Sequence, residues 1–201
     1  MELSETEKGG LDTVLHEATL LGVEVVPARR LVGATFAVFA LSEDGRPPED
    51  ARIQFRFQPV GRVAASLIKG HWTDPHPELI PIRIAELLGI VESFKEAVYG
   101  GDLFDAPLER EDYRWLHRLS LDWEAGEEGR SHHIHLFQEG GDRHLDMCIW
   151  FDAFTICDVN GREVNMDSLI SDSRRFWDAF YRDDPKAAEE AGGRGLFRLS
   201  P

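Results

Sequence analysis

Three histidines occupy four positions in Ser-His-His-Ile-His-Leu-Phe, residues 131–137, and a further one follows at His144, two residues before Asp146. An H-x-H pair on a β-strand sends both imidazoles to one side, because successive strand side chains alternate. A neighbouring strand carrying His144 and Asp146 adds a third nitrogen donor and an oxygen donor, a set that zinc, nickel or iron accepts. Metal binding or metal-dependent catalysis is therefore the chemistry to expect of His133, His135, His144 and Asp146 if they converge. The competing expectation is a solvated or partner-facing strand surface, where histidines opposite an aspartate make cross-strand hydrogen bonds. Imidazoles beside carboxylates also change charge near neutral pH. No P-loop, dinucleotide fingerprint, nucleophile elbow or zinc-protease helix motif occurs elsewhere in the chain.

The segment His-Ile-His-Leu-Phe-Gln-Glu, 133–139, resembles the first half of the cupin motif, in which H-x-H is followed after three or four residues by a glutamate. The resemblance implies His133, His135 and Glu139 as metal ligands. It covers about seven residues, and the second cupin motif, with its P-x-G and downstream histidine, is absent from the sequence. A hairpin turn at Glu139 also conflicts with the direction that ligand would need.

Other chemistry is thinner. Asp-Val-Asn-Gly-Arg-Glu, 158–163, has part of a calcium loop without its twelve-residue ligand pattern, so Asn160-Gly161 reads as a tight turn. His71 and His76 lie in the Pro-containing loop His-Trp-Thr-Asp-Pro-His-Pro, where Trp72 is the best candidate for an exposed anchor. Trp115, Trp123, Trp150 and Trp177 read as core or sheet-edge aromatics. Glu127 and Glu128 face no identifiable acidic partner, so a paired-carboxylate hydrolase is unsupported.

The elements that must position these residues follow from periodicity. Stretches of period-two alternation bounded by turn residues give antiparallel strands, and apolar residues at helical spacing give two helices. Leu87, Leu88, Val91, Phe94 and Val98 mark the first helix; Leu169, Ile170, Ser173, Trp177 and Phe180 mark the second. Shifted by 82 residues, 87–102 and 169–184 share Leu, Phe, Ala, Tyr and Asp, and several strand positions correspond at the same shift or one less. This pattern predicts a tandem duplication, with repeat one at about 13–102 and repeat two at about 103–184. The expected fold is α+β: one pseudo-symmetric domain over 13–191, its antiparallel curved sheet packed on one face by two helices. Residues 1–12 and 192–201 read as poorly ordered ends.

A loop at 139–142 registers the second hairpin so that His135 faces Asp146, His133 faces Cys148 and Phe137 faces His144. Ile134, Leu136, Leu145, Met147 and Ile149 then share the core face, and the histidines with Asp146 share the other. A loop at 59–61 pairs the corresponding strands of the first half. That places Ile53, Phe55, Phe57, Val63, Ala65 and Leu67 inward, with Arg52, Gln54, Arg56, Gln58 and Arg62 outward. The polar face so formed makes Arg52, Arg56 and Arg62, with Trp72 from the loop, the candidate partner-binding residues.

Charge and composition bound the function. The chain of 201 residues carries 22 basic and 37 acidic side chains, a net of 22 − 37 = −15. Such a balance disfavours nucleic acid and anionic membranes and suits a basic protein or a cation. No apolar run is long enough to span a bilayer and the N-terminus is acidic and polar, so a cytoplasmic protein is expected. Cys148 and Cys157, without a CxxC, are expected to be reduced and structural. The function these features favour is a non-catalytic binding protein, such as a neutraliser of a basic protein partner, with no cofactor expected. The alternative is a metal-dependent protein holding Zn, Ni or Fe at the histidine face, and the third a small-ligand carrier. A homodimer through the polar face or a sheet edge is compatible with the pattern.

Overall fold

The computed structural model describes residues 3–70, 78–94, 118–140 and 142–193. The fold is α+β, with helices flanking two antiparallel sheets where the sequence led us to expect one. Sheet A has the order β1-β2-β3-β9, from β1 (Thr19–Val26), β2 (Leu31–Ala37), β3 (Arg52–Phe57) and β9 (Phe154–Asp158). Sheet B has the order β5-β4-β8-β7, from β5 (Glu78–Leu79), β4 (Val60–Lys69), β8 (Arg143–Phe151) and β7 (His132–Glu139). A further strand, β6 (Leu121–Glu124), also pairs with β4.

The sheets share one core because each contributes an apolar face. Alternation in Arg-Ile-Gln-Phe-Arg-Phe turns Ile53, Phe55 and Phe57 inward from β3. From sheet B, Val63, Ala65, Leu67, Leu145, Met147, Ile149, Ile134 and Leu136 join the same buried cluster. Phe57 of sheet A and Phe151 of sheet B meet with ring centroids 4.5 Å apart. Each such fully buried side chain contributes about 1.5–3 kcal/mol.

β3 and β4, expected to form a hairpin, belong to different sheets. The chain leaves sheet A through the cis Gln58–Pro59 bond and enters sheet B at Val60. Gln58 N donates to Ala153 O at 2.8 Å and Val60 N to Arg30 O at 2.8 Å, so the crossover is tied to its neighbours on both sides. Gly61 N donates to Gly129 O at 2.8 Å. Gly129 has φ +82°, and a Cβ there would lie 2.5 Å from Gly61 N, a spacing that requires glycine.

The helices pack at the flanks. α1 (Glu5–Leu15) lies where poor order was expected. Its Ser4–Glu7 capping box satisfies the first turn, and Leu11, Val14 and Leu15 enter the core. It packs on α3 (Met166–Tyr181), where Gly10 approaches so closely that a Cβ would lie 2.6 Å from Ile170 Cδ1. α2 (Leu87–Phe94) buries Leu87, Val91 and Phe94 beside β1. Nearby, Gln138 Nε2 of β7 donates to Leu20 O of β1 at 3.3 Å, linking the sheets. α4 (Pro185–Gly193) adds Ala187 and Ala191 to a second cluster with Phe39, Leu41, Phe176, Trp177 and Phe180. Gly192 and Gly193, expected in a loose tail, end α4.

The fold does not confirm the duplication. Strands β3 and β7, strands β4 and β8, and helices α2 and α3 lie at the matched positions. β7 and β8 are a hairpin, however, while β3 and β4 part company, and α2 packs on β1 while α3 packs on α1. Among the described residues no helix is long and apolar enough to cross a membrane.

Candidate functional site

β7 and β8 bring His133, His135 and His144 to one face, with His132 on the other beside Phe151, but not in the expected register. His133 lies opposite Trp150, His135 opposite Cys148, Phe137 opposite Asp146 and Glu139 opposite His144. The expected pairs are thus displaced by two residues along β8, a shift that preserves which side chains share each face. Glu139 is the last residue of β7 rather than part of a turn. His135 Nε2 and Asp146 Oδ1 are hydrogen-bonded across the diagonal. The His144 ring packs against Phe137 with centroids 5.7 Å apart.

This face is not a wet surface. His133, His144, Cys148 and Trp150 are buried, as are Ala64 and Ser66 on adjacent β4. The His135 and Asp146 side chains are 11% and 17% exposed. Burial pushes the Cys148 thiol far above its ordinary value, and the charge on Asp146 pushes it further against the opposing effect of Arg62. A thiol so held is protonated and a poor nucleophile. Cys148 and Cys157 are both free and buried. Among the described residues no three or more His, Cys, Asp or Glu side chains are grouped so as to hold a metal ion.

The candidate partner-binding arginines fall on different sheets. Arg62 lies on the histidine face of sheet B and is engaged there: Nε and Nη2 donate to Asp122 at 2.7 and 2.9 Å, and Cζ lies 5.0 Å from the Trp150 ring centroid. Those bonds to Asp122 raise the Arg62 pKa further. Arg52 and Arg56 lie instead on the outer face of sheet A. Arg52, 54% exposed, clasps Asp50 and holds that carboxyl down at about 2. Trp72, with His71 and His76, lies outside the described residues.

Around Arg56 the outer face of sheet A is hollowed. A depression of about 440 Å³ is lined by Glu24, Thr35, Arg52, Gln54, Arg56 and Asp158. A second, of about 410 Å³, is lined by Arg29, Arg56, Gln58 and Thr155. Arg56 borders both. Its Nε donates to Gln54 Oε1 at 2.7 Å, and Gln54 Nε2 reaches Thr35 Oγ1 at 3.5 Å, so the guanidinium is oriented from its own sheet. Asp158 is occupied by the turn after β9: its Oδ1 accepts from Asn160 N at 2.8 Å and Arg162 N at 2.9 Å. The bond from Arg162 N is the largest influence lowering its pKa. The calcium-like stretch is therefore a tight turn, with Gly161 at φ +76°.

Glu24, Gly33, Thr35 and Thr155 were not singled out in the sequence. The alternation of β2, with Val32, Ala34 and Phe36 buried, carries the signal for Gly33 and Thr35. Glu24 and Thr155 join them only through strand pairing.

The fold and its hollowed face together define an α+β protein of two antiparallel sheets with an open polar surface. No protein-family model, no curated protein and no solved structure matches the chain.

Proposed function

We propose that the chain is a non-catalytic cytoplasmic binding protein that engages a protein partner through the outer face of sheet A. The observation that supports this is the open surface around Arg56, where polar side chains from successive strands surround two adjoining depressions. Its makeup suits recognition: charged and amide groups are held in place on a rigid sheet rather than on a loop. The net charge of −15 favours a partner that is basic overall, drawn in by the acidic field, as for a neutraliser of a basic effector. Two buried free cysteines fit a reducing compartment.

A photo-crosslinking residue placed at Thr35, compared with one at exposed Arg174 on α3, tests the reading in the source cells. We expect one protein to be captured from Thr35 and not from Arg174. The recombinant pair should associate one to one, with affinity falling at least tenfold in Arg52→Glu, Arg56→Glu. Equal capture from both positions, or an affinity untouched by the double substitution, would overturn it.

A second reading, a zinc, nickel or iron site at His133, His135, His144 and Asp146, is favoured by the His135–Asp146 pair on one shared face. Metal bound stoichiometrically to tag-free protein and lost in His133→Ala, His135→Ala would establish it in place of the first. Metal-free protein whose melting temperature does not respond to those ions would dismiss it.

A further inference from the structure

We infer that Arg56 is a receptor for a carboxylate, an aspartate or glutamate side chain presented by the protein partner. The inference rests on the reading that sheet A is the binding face and names the contact that fixes register there. Several arginines already hold acids of this chain: Arg30 pairs with Glu128, Arg52 with Asp50, Arg62 with Asp122, Arg83 with Glu86 and Arg175 with Asp172. Arg56, half-buried on a central strand, makes no such pair among the described residues. Other arginines without such a pair are either exposed, as Arg162 and Arg174 are, or stacked on a ring, as Arg143 is on Phe94, whereas Arg56 borders two depressions. A guanidinium presents a planar fork of donors that matches a carboxylate in two parallel bonds. The Nε of Arg56 is already committed to Gln54 at 2.7 Å, and its terminal nitrogens make no hydrogen bond among the described residues. Holding the donor before the ligand arrives reduces the ordering cost of binding.

The surroundings make room for the acid. Gly33 lies directly opposite Arg56 on β2, and Glu24 lies beyond it in the same row on β1. The Gln54 amide lies over Gly33, and the open space for an acid is the depression that Arg56 borders. A Cβ at Gly33 would come within 2.9 Å of Gln54 Nε2, so Gly33 is what allows Gln54 to lie where it orients Arg56. On the other side the turn at Gly161 borders the guanidinium: a Cβ there would stand 3.5 Å from Nη2, an ordinary van der Waals contact. Asp158 Oδ1 is held by two backbone N–H groups of its own turn, and Asp158 makes no ion pair with Arg56. The long-range field and the local contact thus have different jobs. Acidity overall draws in a basic surface, and one cationic fork within it admits a single acidic side chain in one register.

The probe is N-acetyl-glutamate N-methylamide, titrated into the whole protein at constant ionic strength while the Arg56 Nε–H and the Gly33 and Thr155 amides are followed by NMR. The neutral glutamine analogue and sodium chloride are the controls. We expect saturable shifts with the glutamate probe alone. These should vanish in Arg56→Gln and weaken at least fivefold in Gly33→Ala. The new methyl in Gly33→Ala meets the movable end of Gln54, so that variant keeps its fold, as an unchanged amide spectrum elsewhere will verify. Equal shifts with the glutamine analogue or chloride, or shifts that persist in Arg56→Gln, would overturn the inference. So would silence at Arg56 throughout the titration. Silence combined with specific capture from Thr35 removes the carboxylate contact and leaves the binding face standing. Saturable binding without any partner captured at Thr35 does the reverse.

Discussion

Asp152, in the turn between β8 and β9, accepts from Gly129 N at 3.0 Å and from Ser131 N and Oγ at 3.1 and 2.7 Å. It thereby fastens the 129–131 segment to the place where the chain changes sheets. Burial pushes its pKa up, but the bonds from Ser131, Gly129 and Arg130 outweigh that and leave it below the ordinary value of 3.8. A folded pKa below the unfolded one contributes stability above about pH 4, and that contribution is lost as pH falls through the folded value. Asp152→Asn should therefore cost about 1 kcal/mol at pH 7, after discounting for solvent screening. The deficit should shrink on acidification below about pH 4. Urea titrations of both proteins at the two pH values check this, and a deficit that grew in acid would refute it. Sequence alone did not single out Asp152, because its partners depend on a crossover that local pattern does not encode. The faces of β7 and β8 were legible from Ile134, Leu136, Leu145, Met147 and Ile149. Their register was not, since a slip of two residues leaves every side chain on the same face. The alternation likewise put His133 and His144 on the second face but said nothing of whether that face is covered.

At the scale of elements, α1 shows a signal present and passed over. Ser4 and Glu7 have the spacing of a capping box, and Leu11, Val14 and Leu15 recur on one helical face. Acidic residues and Gly9-Gly10 give the segment the composition of a loose end, yet Gly10 is what admits Ile170 to close contact. The helix is also tied to α3 through Thr13 O, which accepts from Ser173 Oγ at 3.1 Å and Trp177 Nε1 at 3.2 Å. Leu11 is fully buried, so Leu11→Ala should cost about 2–5 kcal/mol through lost transfer energy and a cavity. A loose N-terminus would leave stability unchanged, so the chemical-denaturation midpoint separates the two descriptions. The separation of β3 from β4 was hidden for a different reason. An inward-facing Ile, Phe or Val satisfies alternation equally well in either of two sheets that share a core, and Pro59-Val60-Gly61 reads as a hairpin loop. Which strands pair was therefore decided by tertiary packing, and Arg52 and Arg56 were parted from Arg62 by that decision.

For the molecule as a whole, a net charge of −15 over 201 residues sets self-repulsion against the ion pairs that tie acids to bases. Most of those pairs are at the surface. Glu5, the partner of Lys8, is 90% exposed, and Arg83 and Glu86 are neighbours one helical turn apart on an exposed edge. Pairs of this kind are worth about 0–1 kcal/mol each and weaken with salt, whereas the repulsion among unpaired acids is longer in range and is screened over the same concentrations. Repulsion should dominate, because acids outnumber bases by 37 to 22 and the apolar core that holds the sheets together is indifferent to charge. Raising sodium chloride from about 20 to about 300 mM should then stabilise the protein by about 1 kcal/mol, or roughly 2–4 °C in melting temperature. A fall in melting temperature would mean that the ion pairs outweigh the excess charge. Association with a basic partner should respond in the opposite sense, its rate dropping over the same range as the steering field is screened. The two measurements together separate what the acidity costs the fold from what it contributes to binding.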